Sequence, residues 1–285
     1  MTMTNSIQVR VARAEDKDAV LAFCQNTFRW GDYIPHVWDA WLADPTGVLL
    51  VATARQQPVA ILRAAFLGNG IAWLEGMRVH PAFRRQGIAT EMDVHARTVA
   101  RQRGCRVARL GTSIKNLPAQ KTLAGEGYQR VAQFNEWEAE PARVDFASAR
   151  VATPGDAPAI LARWHDSEIR AASHAVAMTR RWRWTAIDAA RLHEQIAAGE
   201  ARVTPRGFML LLAFDEVDWS ALNIHALDGD AETLLTLALA ARGEAEYRGY
   251  PHVEATLADH APLNDALARA GYRRAGGMFI YEQKL

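Results

Sequence analysis

From Arg78 to Thr90 the chain carries three arginines and no acid. The segment is Arg78–Val79–His80–Pro81–Ala82–Phe83–Arg84–Arg85–Gln86–Gly87–Ile88–Ala89–Thr90. An apolar strand pattern runs up to Val79, Pro81 stops it, and a helical pattern opens at Gly87. The first turn of a helix has backbone N–H groups without intrahelical partners, and its dipole end is positive. Small residues at 87 and 89 let an anion approach that backbone closely. The chemistry on offer is capture of a pyrophosphate with a further phosphate nearby. The dinucleotide pattern G-x-G-x-x-G and the nucleotide pattern G-x-x-x-x-G-K-[ST] are both absent.

The elements that must hold this loop follow from periodicity. The first half reads as strand 7–13, helix 15–27, short helix 35–43 and strands 48–52, 58–67 and 70–80. Helix 88–103, strand 106–112, helix 116–126 and strand 128–138 follow. A repeat then emerges. Val9–Arg10–Val11–Ala12–Arg13–Ala14–Glu15–Asp16 parallels Ala149–Arg150–Val151–Ala152–Thr153–Pro154–Gly155–Asp156, and each runs into an apolar helix. The ends match as well: Leu123–Ala124–Gly125–Glu126–Gly127–Tyr128 against Leu267–Ala268–Arg269–Ala270–Gly271–Tyr272. Two matching starts and ends indicate a duplication, with a seam near 140–147. The second half reads as helices 156–166 and 185–198, strands 207–214 and 217–226, helix 230–243, strand 252–257, helix 262–270 and strand 272–283.

Bulk properties narrow the classes. The chain has 285 residues, 49% of them hydrophobic and 23% charged, which suits two soluble domains with real cores. With 33 basic and 32 acidic residues there is no global field to recruit nucleic acid or an anionic membrane. The run Arg180–Arg181–Trp182–Arg183–Trp184 interleaves stacking and cationic groups, but packed tryptophans with arginines at the surface explain it as well. Cys24 and Cys105 lie far apart and without paired histidines, so neither a disulfide framework nor a metal site is expected. No signal core and no membrane span is legible, and a cytoplasmic location is expected.

The basic loop resembles the acetyl-CoA motif [Q/R]-x-x-G-x-[G/A] of the GNAT acyltransferase superfamily through Arg84, Gly87 and Ala89, with Val79–His80–Pro81 as its lead-in. Asn116, Ala119 and Gly127–Tyr128 follow at the family's spacing. The resemblance implies an α/β fold built on a mixed sheet, in two tandem GNAT-like domains: 1–141 catalytic, 142–285 degenerate. It implies acetyl-CoA as co-substrate, with Arg84, Arg85, Gln86, Gly87, Ile88, Ala89 and Thr90 on the pyrophosphate. Met77, Arg78 and Val79 would pair with the pantetheine arm like an added strand, and Asn116 would sit near that arm. Many members place a tyrosine seven positions after this asparagine as the general acid. Here that position is Leu123. Either the CoA thiolate leaves without a dedicated acid, or another group such as Ser113 or Tyr33 serves.

Glu75 is the candidate base. It lies two residues before Met77, on the same strand face. An ammonium must lose a proton before it attacks a thioester, and a partly buried carboxylate can accept it directly or through water. The competing reading is a structural acid tied to backbone or to an arginine. His80 is a lesser candidate, and a residue beside proline is more simply part of the turn. The resemblance implies that the segment 27–42 lines the acceptor site. Asp32 would bind an ammonium, while Tyr33 and Trp38 would pack on the acceptor; otherwise Trp38 and Trp41 are core positions of a helix. This segment and Leu74–Glu75–Gly76–Met77–Arg78–Val79 are similar to the histidine N-acetyltransferase group, which implies a small amine, such as an amino acid, as partner. A homodimer is left open. In the second half the counterpart of the phosphate loop, 222–232, has three acids and no arginine. The counterpart of Glu75 falls near Ser220 or Ala221, so no catalysis is expected there.

Overall fold

The structure, a computed structural model, describes residues 7–25, 27, 31–144, 148–180, 182–216 and 219–285. Two compact units are present. The first comprises Met1–Leu110, Pro118–Gln129 and Tyr281–Leu285; the second comprises Gly111–Leu117 and Arg130–Ile280. The division of the sequence at 141/142 remains a proposal about repeats; the compact units themselves are interleaved along the chain.

In the first half the order is β1 (Ile7–Val11), α1 (Lys17–Cys24), α2 (Ile34–Ala43), β2 (Gly47–Ala54), β3 (Gln57–Phe66) and β4 (Ile71–Val79). Then come α3 (Ile88–Gln102), β5 (Val107–Ser113), α4 (Leu117–Gly125) and β6 (Gln129–Ala139). In the first unit β1 to β4 form an antiparallel meander, and β4 takes β5 as a parallel neighbour. A crossover is required between parallel neighbours, and α3 supplies it. One apolar cluster joins Val20, Phe23, Ile34, Trp38 and Trp41 of the helices to Leu49, Val51 and Ile61 of the sheet. The tail Tyr281–Leu285 is tied into this unit by a pair between Arg109 and Glu282 and by a bond from Leu285 N–H to Arg106 O at 2.9 Å.

The second half runs β7 (Arg150–Val151), α5 (Ala157–Asp166), α6 (Glu168–Ala172), β8 (Ala177–Arg180), β9 (Arg183–Thr185), α7 (Ala189–Ala197), β10 (Ala201–Thr204) and β11 (Gly207–Glu216). β12 (Trp219–Gly229), α8 (Ala231–Arg248), β13 (Val253–Ala258), α9 (Ala261–Arg269) and β14 (Arg273–Lys284) complete it. From Phe134 to Ala139, β6 pairs antiparallel with β13 in the second unit. Of the Arg180–Trp184 run, Arg180 ends β8 and Arg183 and Trp184 lie in β9, which pairs antiparallel with it. Trp184 is fully buried and meets Phe134 edge-on at 5.5 Å, while Arg181 lies outside the described residues.

Both repeats begin with the same device. Arg10 grips Asp16 through two bonds of 2.7 and 2.6 Å, and Arg13 N–H donates to Asp16 at 2.7 Å. Arg150 grips Asp156 at 2.8 and 2.6 Å, and Thr153 N–H donates at 2.7 Å. Both close alike: Gly127 and Gly271 each have φ of 85°, and the following tyrosine N–H reaches back to Leu123 O or Leu267 O at 3.0 Å. Left-handed glycine is what such a helix end requires. Among the described residues no helix is long and apolar enough to cross a membrane.

Candidate active site

β4 is bent where the chemistry is expected. Val79 and Arg78 face Ala60 and Ile61 of β3, but Glu75 faces Arg63, so Gly76 and Met77 together oppose Leu62 alone. That is a β-bulge, which re-aims side chains. Gly76 has φ of 75°, and a Cβ there would come within 2.6 Å of Trp41 Cζ3. The bulge exists at a glycine because the indole fills the space a side chain would need. The parallel ladder with β5 runs from Ile71↔Val107 to Leu74↔Leu110 and ends there. Glu75 to Val79 continue beyond it, leaving a strand edge of the kind to which an extended ligand can add.

The loop after β4 has the form its sequence predicts. His80 Nδ1 accepts the Ala82 N–H at 3.1 Å, and Pro81–Phe83 make one 3-10 turn. His80 is therefore a turn residue. Arg85 has φ of 61° and Gly87 φ of 80°, two left-handed positions in three residues. A long side chain held at positive φ is strained, a mark found at functional loops. α3 opens without a side-chain cap, and its first backbone bond is Glu91 N–H to Gly87 O at 3.0 Å. The amides of Ile88, Ala89 and Thr90 precede it in the uncapped first turn. Arg84, Arg85, Gln86 and Gly87 are exposed, and among the described residues beyond its chain neighbours no atom lies within 4 Å of the place a Gly87 Cβ would occupy. Donors, open space and positive charge all suit a pyrophosphate. Two carbonyls are already engaged by guanidinium groups: Arg84 Nε donates to Val79 O at 3.1 Å and Arg78 Nη1 to Met77 O at 3.0 Å. Burial pushes the Glu126 carboxyl up.

The amine-side residues are more committed than their types suggest. Asp32 is held by Arg78 through Nε at 2.7 Å and Nη2 at 3.1 Å, and it also accepts the Ile34 N–H at 3.1 Å. Its carboxylate has no exposed surface. The expected ammonium ligand is thus an ion-pair partner fixing the α2 start to β4. Tyr33 packs against the Arg78 guanidinium at 5.1 Å and edge-on to Trp41 at 5.9 Å; burial pushes its hydroxyl up to about 12, so it keeps its proton. Trp38 is fully buried in the helix–sheet core and presents no surface to an acceptor. Phe28 to Trp30 lie outside the described residues. Glu75 pairs with Arg63, and Arg63 also binds Asp44. Neither arginine partner was legible in the sequence: both pairs bridge elements whose register only the fold sets. Asn116 belongs to the second unit, where its Nδ2 donates to Thr112 Oγ1 at 3.3 Å. Ser113 Oγ accepts the Lys115 N–H at 3.2 Å, and Leu123 is buried.

The second unit answers the same positions differently. Its parallel ladder runs from Leu222↔Val253 to Ile224↔Ala255. The residue after the last pair is Glu75 in the first unit and His225 here. Register thus moves the counterpart of Glu75 from Ser220 or Ala221 to His225, which is fully buried and bonded to Gln195. β12 runs almost directly into α8, and Asp230 caps that helix by accepting the Thr233 N–H at 2.9 Å. A carboxylate therefore occupies the place an anion would take. Among the described residues no group of three His, Cys, Asp or Glu is arranged to hold a metal ion.

Residues 18–128, within the first repeat, match the acetyltransferase (GNAT) family. Over 84 residues the chain is 31% identical to a histidine N-acetyltransferase of Scomber australasicus, a match covering 29% of this chain and 25% of that protein. The chain thus spans about a quarter of the length of the curated relatives it matches. The whole chain shares its fold with a GCN5-related N-acetyltransferase from Sphaerobacter thermophilus (TM-score 0.68, 15% identity, 98% and 95% of the two chains covered). It likewise shares that of a tandem GNAT protein from the clavulanic acid biosynthesis pathway (TM-score 0.61, 16% identity, 98% of each chain covered).

Proposed function

We propose that this protein is an acetyl-CoA-dependent N-acetyltransferase that acts on a primary amine of a small molecule, such as an amino acid. The observation that carries this is the uncapped first turn of α3 behind an exposed Arg84–Arg85–Gln86–Gly87 loop, next to the stretch of β4 that runs beyond its ladder with β5. Arg84 to Thr90 hold the pyrophosphate. Met77 to Val79 pair with the pantetheine, which displaces the two arginine–carbonyl bonds. The amine attacks the thioester carbonyl within a ternary complex. Glu75 receives the ammonium proton through water, because its carboxylate is nearly buried. The C–S bond breaks, and the CoA thiolate, with no tyrosine at position 123 to protonate it, takes the second proton that the nitrogen sheds as the amide forms. The second repeat is structural.

A second reading is a CoA-binding sensor without turnover, favoured by Leu123 at the acid position. One experiment separates them: incubation with acetyl-CoA and pooled amino acids, polyamines, aminoglycosides and peptides, followed by thiol release and mass spectrometry of products. Acetylated product that Glu75→Gln abolishes supports the enzyme. Acetyl-CoA binding with no product supports the sensor, and no binding defeats both.

A further inference from the structure

We infer that Arg63 is a positioning residue for proton transfer, holding Glu75 in place; this rests on the reading of Glu75 as the base. Arg63 stands directly opposite Glu75 in the β3–β4 ladder. Its side chain is 1% exposed, and its two Nη groups go to different acids, Nη1 to Glu75 and Nη2 to Asp44. The guanidinium lies over the Trp41 ring at 5.3 Å. Two glycines make room for this stack. A Cβ on Gly47 would sit 2.9 Å from Arg63 Nη2, and one on Gly76 would sit 2.6 Å from the Trp41 ring.

A buried ion pair is a poor way to gain stability, since packed apolar residues of similar volume commonly do as well or better. The molecule contains its own comparison. In the second unit β11 meets this part of β12 with Leu210 and Leu211, opposite Ala226 and Ile224. There the base position holds no carboxylate, and the arginine is absent too. The buried arginine therefore accompanies the carboxylate rather than the fold. Shared between two acids, Arg63 fixes the Glu75 carboxylate beside the Gly76–Met77 bulge, where the acetyl group is expected. Among the described residues, the charged and titratable groups near Glu75 include Asp44, reached through Arg63, and Tyr33 with the Arg78–Asp32 pair that packs on it.

The test uses the full chain, acetyl-CoA and an equimolar pool of L-amino acids and polyamines, with thiol release measured at pH 7 and at about pH 9.5. The readout is the ratio of kcat at the two pH values, because acceptor ammonium groups shed their own protons at the higher pH and need no base. Arg63→Met is expected to lose about tenfold to a hundredfold in kcat at pH 7, with the acetyl-CoA KM unchanged and most of the loss relieved at the higher pH. Arg63→Lys, which keeps the charge, is expected to lie between this variant and the parent. Should the Met variant fail to fold, as judged by its thermal melt, the Lys variant decides: a ratio above the parent's supports positioning. A ratio equal to the parent's in a folded variant, or a rise confined to KM, makes Arg63 a scaffold residue and overturns the inference. Glu75→Gln run in parallel separates the two failures. If it keeps its kcat, the base reading itself falls; if it loses kcat while folded Arg63 variants show no change in ratio, only the inference falls.

Discussion

Gly76→Ala is the perturbation whose cost the geometry defines best. The position has φ of 75°, so any L side chain there carries about 1–2 kcal/mol of left-handed strain. The new methyl would also lie 2.6 and 2.8 Å from two atoms of the Trp41 ring and 3.4 Å from Ile34 Cδ1. Those neighbours belong to a packed cluster and cannot move freely. Overpacking of this kind costs about 1–3 kcal/mol. Together the terms come to about 2–5 kcal/mol, a large share of a domain's stability of about 5–15 kcal/mol. The assay is urea unfolding of the parent, Gly76→Ala, Trp41→Leu and the double variant. Removing the indole should leave only the backbone term, so the same Ala substitution should cost about 1–2 kcal/mol in the Trp41→Leu background. The difference isolates the clash. An equal cost in both backgrounds, or a cost under about 0.5 kcal/mol in the parent, would refute the claim that the indole requires glycine in the bulge.

Three further outcomes are expected. Tyr128 donates to the buried Asp93 at 2.7 Å, and burial holds its hydroxyl well above the usual tyrosine range. Tyr128→Phe should therefore cost about 1–3 kcal/mol in urea melts by leaving that carboxylate short of a donor. His225 is pushed down to about 3, first by burial and then by Arg191, so the folded state holds it neutral while the unfolded chain takes a proton below pH 6.5. Stability from this group is complete above pH 6.5 and is lost as pH falls toward 3. About 2 kcal/mol should go between pH 6.5 and 5, and His225→Gln should flatten that dependence in melts across the range. Asp16 is held below the usual carboxylate range: burial opposes this, but Arg10 and the Arg13 amide outweigh it. Asp16→Asn should then destabilise the fold at pH 7 and lose its effect as the pH is lowered, as thermal melts would show.

Much of the fold was legible in the residues. Strand and helix periodicity placed every element of the first half to within a few positions. The paired starts at Asp16 and Asp156 and the paired glycine–tyrosine ends identified the duplication. The short pieces of the second half were not readable: β8, β9 and β10 have three or four residues each, too few for a period to show. The form of the loop at Arg84 to Thr90 was readable because its signals are local, a helix start with small residues after a proline stop. The roles of Glu75 and Asp32 were not. Their partners, Arg63 and Arg78, lie 12 and 46 residues away, and the pairing depends on a bulge and on where α2 docks. Trp38 illustrates the same limit: in a helix bearing several large apolar residues, type alone does not tell a ring in the core from a ring against a ligand. His225 replaced Ser220 and Ala221 as the counterpart of Glu75 because ladder register, which the sequence does not display, sets that equivalence.

The central claim is that acetyl-CoA binds at the loop of the first repeat and not at its acid-capped counterpart. Calorimetric titration of the full chain with acetyl-CoA tests it most directly. One site per chain is expected, with binding abolished by Arg84→Glu, which puts an anion in place of a cation in the proposed pyrophosphate loop. Two sites per chain, or a single site that Arg84→Glu leaves intact, would contradict the account.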